Sequence, residues 1–183
     1  MTDLSGLTDG REPYDWKSKY PPEALKRIFL EGCYLLALFF LSVTMIVGTW
    51  KGWFTSGCQA SESQRAISES YLFYASSGML GGITFGMKYF YRVVARGYWH
   101  IDRLPWRIMS PFIATAVAFI VGLMVEASLI SSPASMTPAA VISIGFLAGY
   151  FADEAVGKMY EIAQVLFGKT TVAKALNDKE PKK

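Results

Sequence analysis

The chain has 183 residues, 52% of them apolar and only 18% charged, with a formal net charge of +3. Charge this sparse and this uneven excludes a set of soluble amphipathic helices, which carry charges along one face at every turn. Two cysteines and a single histidine provide no Cys/His spacing for a metal cluster.

Residues 1–23 read as a cytoplasmic tail with Asp3, Asp9, Arg11, Glu12, Asp15, Lys17 and Lys19 and no apolar core of a cleavable signal peptide. The first apolar segment is therefore expected to act as an uncleaved anchor. Pro21-Pro22-Glu23 is suited to start an interfacial helix that runs into it. Four intervals then lack Asp, Glu, Lys and Arg: 19 residues after Glu31, 18 after Glu69, 18 after Arg107, and 26 from Ala127 to Ala152, the last broken by Ser131-Ser132-Pro133. Hydrocarbon about 30 Å thick is crossed by roughly 20 apolar residues in a helix. The intervals predict four spans, at about 28–50, 69–91, 108–130 and 137–153.

Between the first two spans, Trp50, Trp53 and Phe54 suit the headgroup belt. The stretch "TSGCQASESQ" that follows reads as short helix or coil. The loop "RVVARGYWHIDRLPW" interleaves Tyr98, Trp99 and Trp106 with Arg96, Arg103 and Arg107. At a membrane edge this pattern reads as interfacial anchoring rather than direct nucleic-acid binding. The link "SSPASMTP" makes the last two spans an antiparallel hairpin. Beyond Asp153, Val156, Met159, Ala163, Leu166 and Phe167 recur at helical spacing, which predicts an amphipathic helix to about Gly168. Residues 169–183 read as a disordered cytoplasmic tail. The expected fold is all-α, a polytopic membrane protein with four transmembrane helices and a C-terminal amphipathic helix, over 24–168.

Lys and Arg divide 16 to 2 between the two sides: five in the N-terminal tail, five from Lys88 to Arg107, six from Lys158 to Lys183, against Lys51 and Arg65. That split places both termini and the middle loop in the cytoplasm, for a multi-pass protein of a bacterial inner membrane. Cys33 and Cys58 then lie on opposite faces and cannot pair within one chain.

Small residues form stripes at intervals of four. Gly78, Gly82 and Gly86 lie on the second span, with Gly81 beside them. Ser110, Ala114, Ala118, Gly122 and Glu126 lie on the third, and Gly145, Gly149, Asp153 and Gly157 on the fourth. In lipid, close packing rather than the hydrophobic effect joins helices, and small residues permit it. The stripes read as packing within the chain or between subunits of a homo-oligomer. Lys88, followed by Arg92, lies near the inner end of the second span, and Asp153 and Glu154 near the inner end of the fourth. Opposite charge at equal depth predicts a pair between those spans. Glu126, one turn inside the outer end of the third span, reads as an acid reaching the outer interface, with Arg65 and Lys51 as candidate partners, or as a pore-lining acid. Arg92, Arg96, Arg103, Arg107, Trp99 and Trp106 are the candidates for contact with lipid headgroups or with a cytoplasmic protein partner.

His100 and Asp102 have no evident nucleophile beside them, and the glycines follow no strand as in a phosphate loop. The chain reads as a non-enzyme without a cofactor. The stretch "GFLAGYFADEAVGKMYEIAQVLFG", the Gly-rich second span and the aromatic–arginine loop, roughly residues 70–168, resemble a group of small bacterial four-helix inner-membrane proteins, mostly of unknown function. The membrane subunit KwaA of the Kiwa phage-defence system is similar in size and layout. That resemblance implies a subunit that assembles with a cytoplasmic partner, in antiviral defence, and it carries over no functional residues. Three functions fit the sequence: an oligomeric sensor or scaffold, an ion-conducting pore lined by the stripes of spans two and three, and an accessory subunit of an energy-transducing membrane complex.

Overall fold

A computed structural model describes residues 18–54, 61–127 and 136–166, with the side chains of Met159 and 162–166 undescribed. All regular structure among them is helical: α1 (Pro22–Trp50), α2 (Glu62–Ala95), α3 (Leu104–Glu126), α4 (Pro138–Tyr150) and α5 (Ala152–Leu166), with a single 3-10 turn at Ile101–Arg103. Cys58, residues 128–135 between α3 and α4, and residues 1–17 and 167–183 of the two tails lie outside the described residues.

Each start has a local cause. Pro21 is extended and Pro22 opens α1, where a missing N–H costs nothing. Ser61 caps α2 in a reciprocal capping box with Gln64. The Thr137 hydroxyl caps α4 by accepting from the Ala140 N–H. Inside the helices the hydroxyls of Ser42, Thr49, Ser76, Ser77, Thr84, Thr115 and Ser143 all donate to the carbonyl four residues back. No polar group of theirs is left for an apolar surrounding to penalise.

The helices alternate in direction. Tyr20 meets Val94 while Trp50 meets Phe73, so α1 and α2 are antiparallel. Gly82 faces Ala114 and Gly78 faces Ala118, so α2 and α3 are antiparallel too. Gly78 and Gly81 meet Gly145 and Tyr150 in rising order, and α4 therefore runs parallel to α2. Helix α2 lies in the middle, packed against α1, α3 and α4.

Two helices, α1 and α3 (with its 3-10 turn), are long and apolar enough to cross a membrane. Their outward faces are apolar: Phe29, Leu30, Leu36, Phe40 and Leu41 on α1, and Met109, Phe112, Ile113, Ile120 and Leu123 on α3 are exposed. Helix α2 is long enough, at 34 residues. Its serines, glycines and tyrosines make it too polar to qualify by composition.

The fourth expected span is broken. Helix α4 has 13 residues, about 20 Å of helix against the roughly 30 Å of hydrocarbon. At Phe151 the chain bends by 74° into α5, so this pair counts as a broken span or a re-entrant segment. Ala152 packs beside Ala114, ten residues into α3, which puts the bend roughly 15 Å along that helix. Two to three helices, not clearly four, have the length and composition of a membrane span. The bend also splits the stripe read on the fourth span. Gly145 and Gly149 face α2, whereas Asp153 is exposed and Gly157 meets nothing.

Candidate functional site

Three of the expected seams meet inside the chain. A Cβ on Gly78 would strike the Ala118 side chain, on Gly82 the Ala114 side chain, on Gly81 the carbonyl of Phe146, and on Gly149 the carbonyl of Gly78. On Gly145 it would strike the Ser77 hydroxyl, and on Gly122 the Tyr74 ring at 2.5 Å. Backbone lies on backbone where α2 meets α4, which only glycine permits. Gly86 differs: its nearest neighbour is Leu35 at 3.7 Å, an ordinary contact.

The polar chemistry gathers where α1 begins, α2 ends and α3 begins. Glu31 on α1 and Arg107 in the first turn of α3 are both buried and form an ion pair, Arg107 Nε to Glu31 Oε1. Glu31 Oε2 also accepts from Trp99 Nε1 at 2.9 Å and from Arg107 Nη2 at 3.2 Å. Arg107 Nη2 reaches the His100 carbonyl at 3.2 Å as well. The Tyr20 hydroxyl donates to Val94 O at 3.2 Å and accepts from the Trp99 N–H at 3.2 Å, fixing the connector over α2. Arg107 Nη1 is the remaining buried donor of the pair, with no hydrogen-bond partner among the described residues. Pro111 lies one turn further on and has no N–H to offer the Arg107 carbonyl. Close by, Tyr34 on α1 donates to Ile108 O at 3.0 Å.

This cluster corrects the expectation for two residues. The sequence suggests Trp99 and Arg107 as headgroup or partner contacts, yet both are buried and engaged with Glu31. A span boundary drawn only from missing charges cannot show that Glu31 and Arg107, 76 residues apart, neutralise each other. The available signal is their placement: each immediately precedes its own charge-free interval.

The other intramembrane candidates separate. Lys88 Nζ donates to the Tyr150 hydroxyl at 3.0 Å and lies 5.8 Å from the centre of that ring. No Lys88–Asp153 ion pair occurs among the described residues, because the bend at Phe151 takes Asp153 out of the line of α4. Asp153 instead lines a cavity with Phe85, Tyr89, Arg103 and Trp106. Glu154 is exposed on α5. Glu126 is exposed at the last turn of α3, near Tyr71 on α2.

Arg92, Arg96, Arg103 and Trp106 are exposed, as expected of surface contacts. Arg103 Nη1 donates to the Tyr89 hydroxyl at 3.0 Å, and Tyr89 packs edge-on against Trp106. Arg92, Arg96, Tyr98, His100 and Arg103 surround a cavity of about 410 Å³. Among the described residues no three His, Cys, Asp or Glu converge as metal ligands would. What the arrangement offers is one locked ion pair inside and one open cationic surface beside it. Comparison of the chain with protein-family models, with characterised proteins and with solved structures finds no match.

Proposed function

We propose that the chain is a non-enzymatic membrane subunit that scaffolds a soluble partner on the Lys- and Arg-rich side, with both termini in the cytoplasm of a bacterial cell. The observation that carries this reading is α5. It leaves the bundle at 74°, rests on α3 through Ala152 and Ala155, and holds Asp153, Glu154, Lys158, Tyr160 and Glu161 exposed. A mixed-charge helix projecting sideways from an apolar bundle is a surface for protein contact rather than for hydrocarbon. The antiviral setting is proposed with it, on the resemblance to defence subunits alone.

The scaffold reading is favoured over a pore by the seams. The small-residue faces of α2 and α3 that a pore would use are pressed on each other at Gly78–Ala118 and Gly82–Ala114. An oligomer, if formed, uses the apolar outer face of α1, since 17% of its most apolar stretch is buried against 39% in α3.

A photo-crosslinking residue at Tyr160 in intact cells tests the proposal. The expected result is one discrete protein adduct, absent when the crosslinker replaces Phe40 on the outer face of α1. Unitary current steps from the purified chain in a planar bilayer, with no adduct at Tyr160, would overturn it. A membrane-impermeant thiol reagent added outside should spare Cys33; labelling of Cys33 would reverse the orientation.

A further inference from the structure

The cavity beside the buried ion pair has a composition that the scaffold reading does not use. Tyr89, Arg92 and Arg96 lie at intervals of three and four on the last turns of α2 and so share one face. Opposite them stand Tyr98, His100 and Arg103 from the connector. The connector is held there by the ion pair. Gly97, at φ 76°, turns the chain back over the end of α2, a conformation that suits glycine. His100 is extended, and neighbouring side chains in extended backbone point to opposite sides. With Trp99 drawn inward to Glu31, Tyr98 and His100 face the cavity. The buried cluster and the open cavity are two sides of one construction.

The cavity lining carries three arginines and no carboxylate among the described residues. Neither the Arg92 nor the Arg96 guanidinium makes an ion pair or a side-chain hydrogen bond within the described residues. Arginine presents a planar fork that matches phosphate oxygens two at a time, and tyrosine and histidine add further donors. Tyr89 on the cavity wall packs edge-on against Trp106 in the first turn of α3, where the exposed apolar surface of Met109, Phe112 and Ile113 begins, and Tyr98 on the opposite wall is exposed. Aromatic rings of this kind sit at headgroup depth.

We infer that the Arg92–Arg96–Arg103 cavity binds a phosphate group, presented as the headgroup of an anionic phospholipid. The inference rests on α3 crossing the membrane and is independent of any soluble partner. The lipid source is favoured over free phosphate because the cavity meets an apolar, aromatic-lined edge that an acyl chain can follow.

The test uses the full chain in nanodiscs of phosphatidylcholine containing a minor share of phosphatidylglycerol, with retained lipid counted by native mass spectrometry. The wild type is expected to retain phosphatidylglycerol selectively. Arg92→Gln/Arg96→Gln leaves the Arg103–Tyr89 bond in place and should weaken retention roughly thirtyfold, at about fivefold per cation near an anionic surface. Lys26→Gln/Arg27→Gln removes the same charge from α1 and should retain the lipid. Both variants touch exposed residues, and an unchanged elution volume confirms their fold. Equal retention by the wild type and Arg92→Gln/Arg96→Gln would overturn the site, as would equal loss in the α1 variant, which would mark diffuse attraction. Displacement of the lipid by inorganic phosphate at millimolar level, with no preference between lipids, would overturn the lipid source.

Discussion

Helices α1 and α2 invert the rule that apolar segments lie inside. Helix α1 has the composition of a membrane span, and Leu36, Phe40 and Leu41 on it are exposed. Helix α2 does not qualify as a span by composition, and it packs against α1, α3 and α4, with Ser76, Ser77, Gly78, Gly81, Gly82 and Ile83 all buried. In water this would be a fault. In hydrocarbon the solvent is as apolar as leucine, so apolar side chains gain little by turning inward. Glycine and serine gain more, because they let backbones touch and hide hydroxyls on their own helix. The difference teaches that in these two helices polarity marks enclosure and hydropathy marks an outward face.

The comparison extends to the charged residues at the α1–α3 contact, and there it is most breakable. Replacing Arg107 by Met leaves Glu31 buried without its partner, which costs about 3–5 kcal/mol. Glu31→Gln strands Arg107 in the same way. The double variant is expected to be more stable than either single one. Midpoints of unfolding, measured by titrating denaturing detergent into mild detergent, give the cycle; simple additivity would mean that the two groups do not depend on each other.

Next come the glycines of α2. Gly81→Leu drives a side chain into the Phe146 carbonyl and the Tyr150 N–H of α4, which are backbone and cannot yield. The loss is expected at the top of the about 1–3 kcal/mol range for overpacking. Gly86→Leu, with only Leu35 nearby, should unfold like the wild type. If both behave alike, α2 does not touch α4 through its backbone.

The contrast between inward and outward apolar residues is smaller. Ile83→Ala on α2 removes a fully enclosed side chain and should cost about 2 kcal/mol, the low end for core truncation. Leu36→Ala on the outer face of α1 should change stability by less than about 0.5 kcal/mol. Comparable losses would show that the outer face of α1 is covered by protein.

The smallest effect concerns Lys88. Its partner is Tyr150, so Lys88→Met and Tyr150→Phe should be coupled by about 0.6 kcal/mol, the usual worth of a hydrogen bond between membrane helices. Lys88→Met and Asp153→Asn should simply add. A coupling between those two would return Asp153 to the line of α4 and remove the bend.

Much of the architecture was legible in the residues. The charge-free intervals located α1, α2 and α3 because removing charge is what hydrocarbon requires, and Pro22, Ser61 and Thr137 mark the starts of α1, α2 and α4 through local backbone chemistry. Small residues at intervals of four foretold close contacts at Gly78, Gly82, Gly122, Gly145 and Gly149, though not at Gly86, since spacing fixes which residues share a helix face. Spacing does not say which helix the face meets. The candidate surface was legible in part: Arg92, Arg96, Arg103 and Trp106 are exposed, but Trp99 and Arg107 point inward.

What the sequence determined by itself is therefore composition and face: an all-helical chain, apolar outer helices, small-residue seams and a cationic end. Tertiary structure decided the rest, because the rest depends on pairs. That Glu31 meets Arg107 across 76 residues, that Lys88 finds Tyr150 rather than Asp153, and that α4 stops at Tyr150 beside the middle of α3 are all contacts between distant segments. Local periodicity continues a helix through Phe151, whereas in the fold the chain turns there by 74° and Ala152 packs against α3.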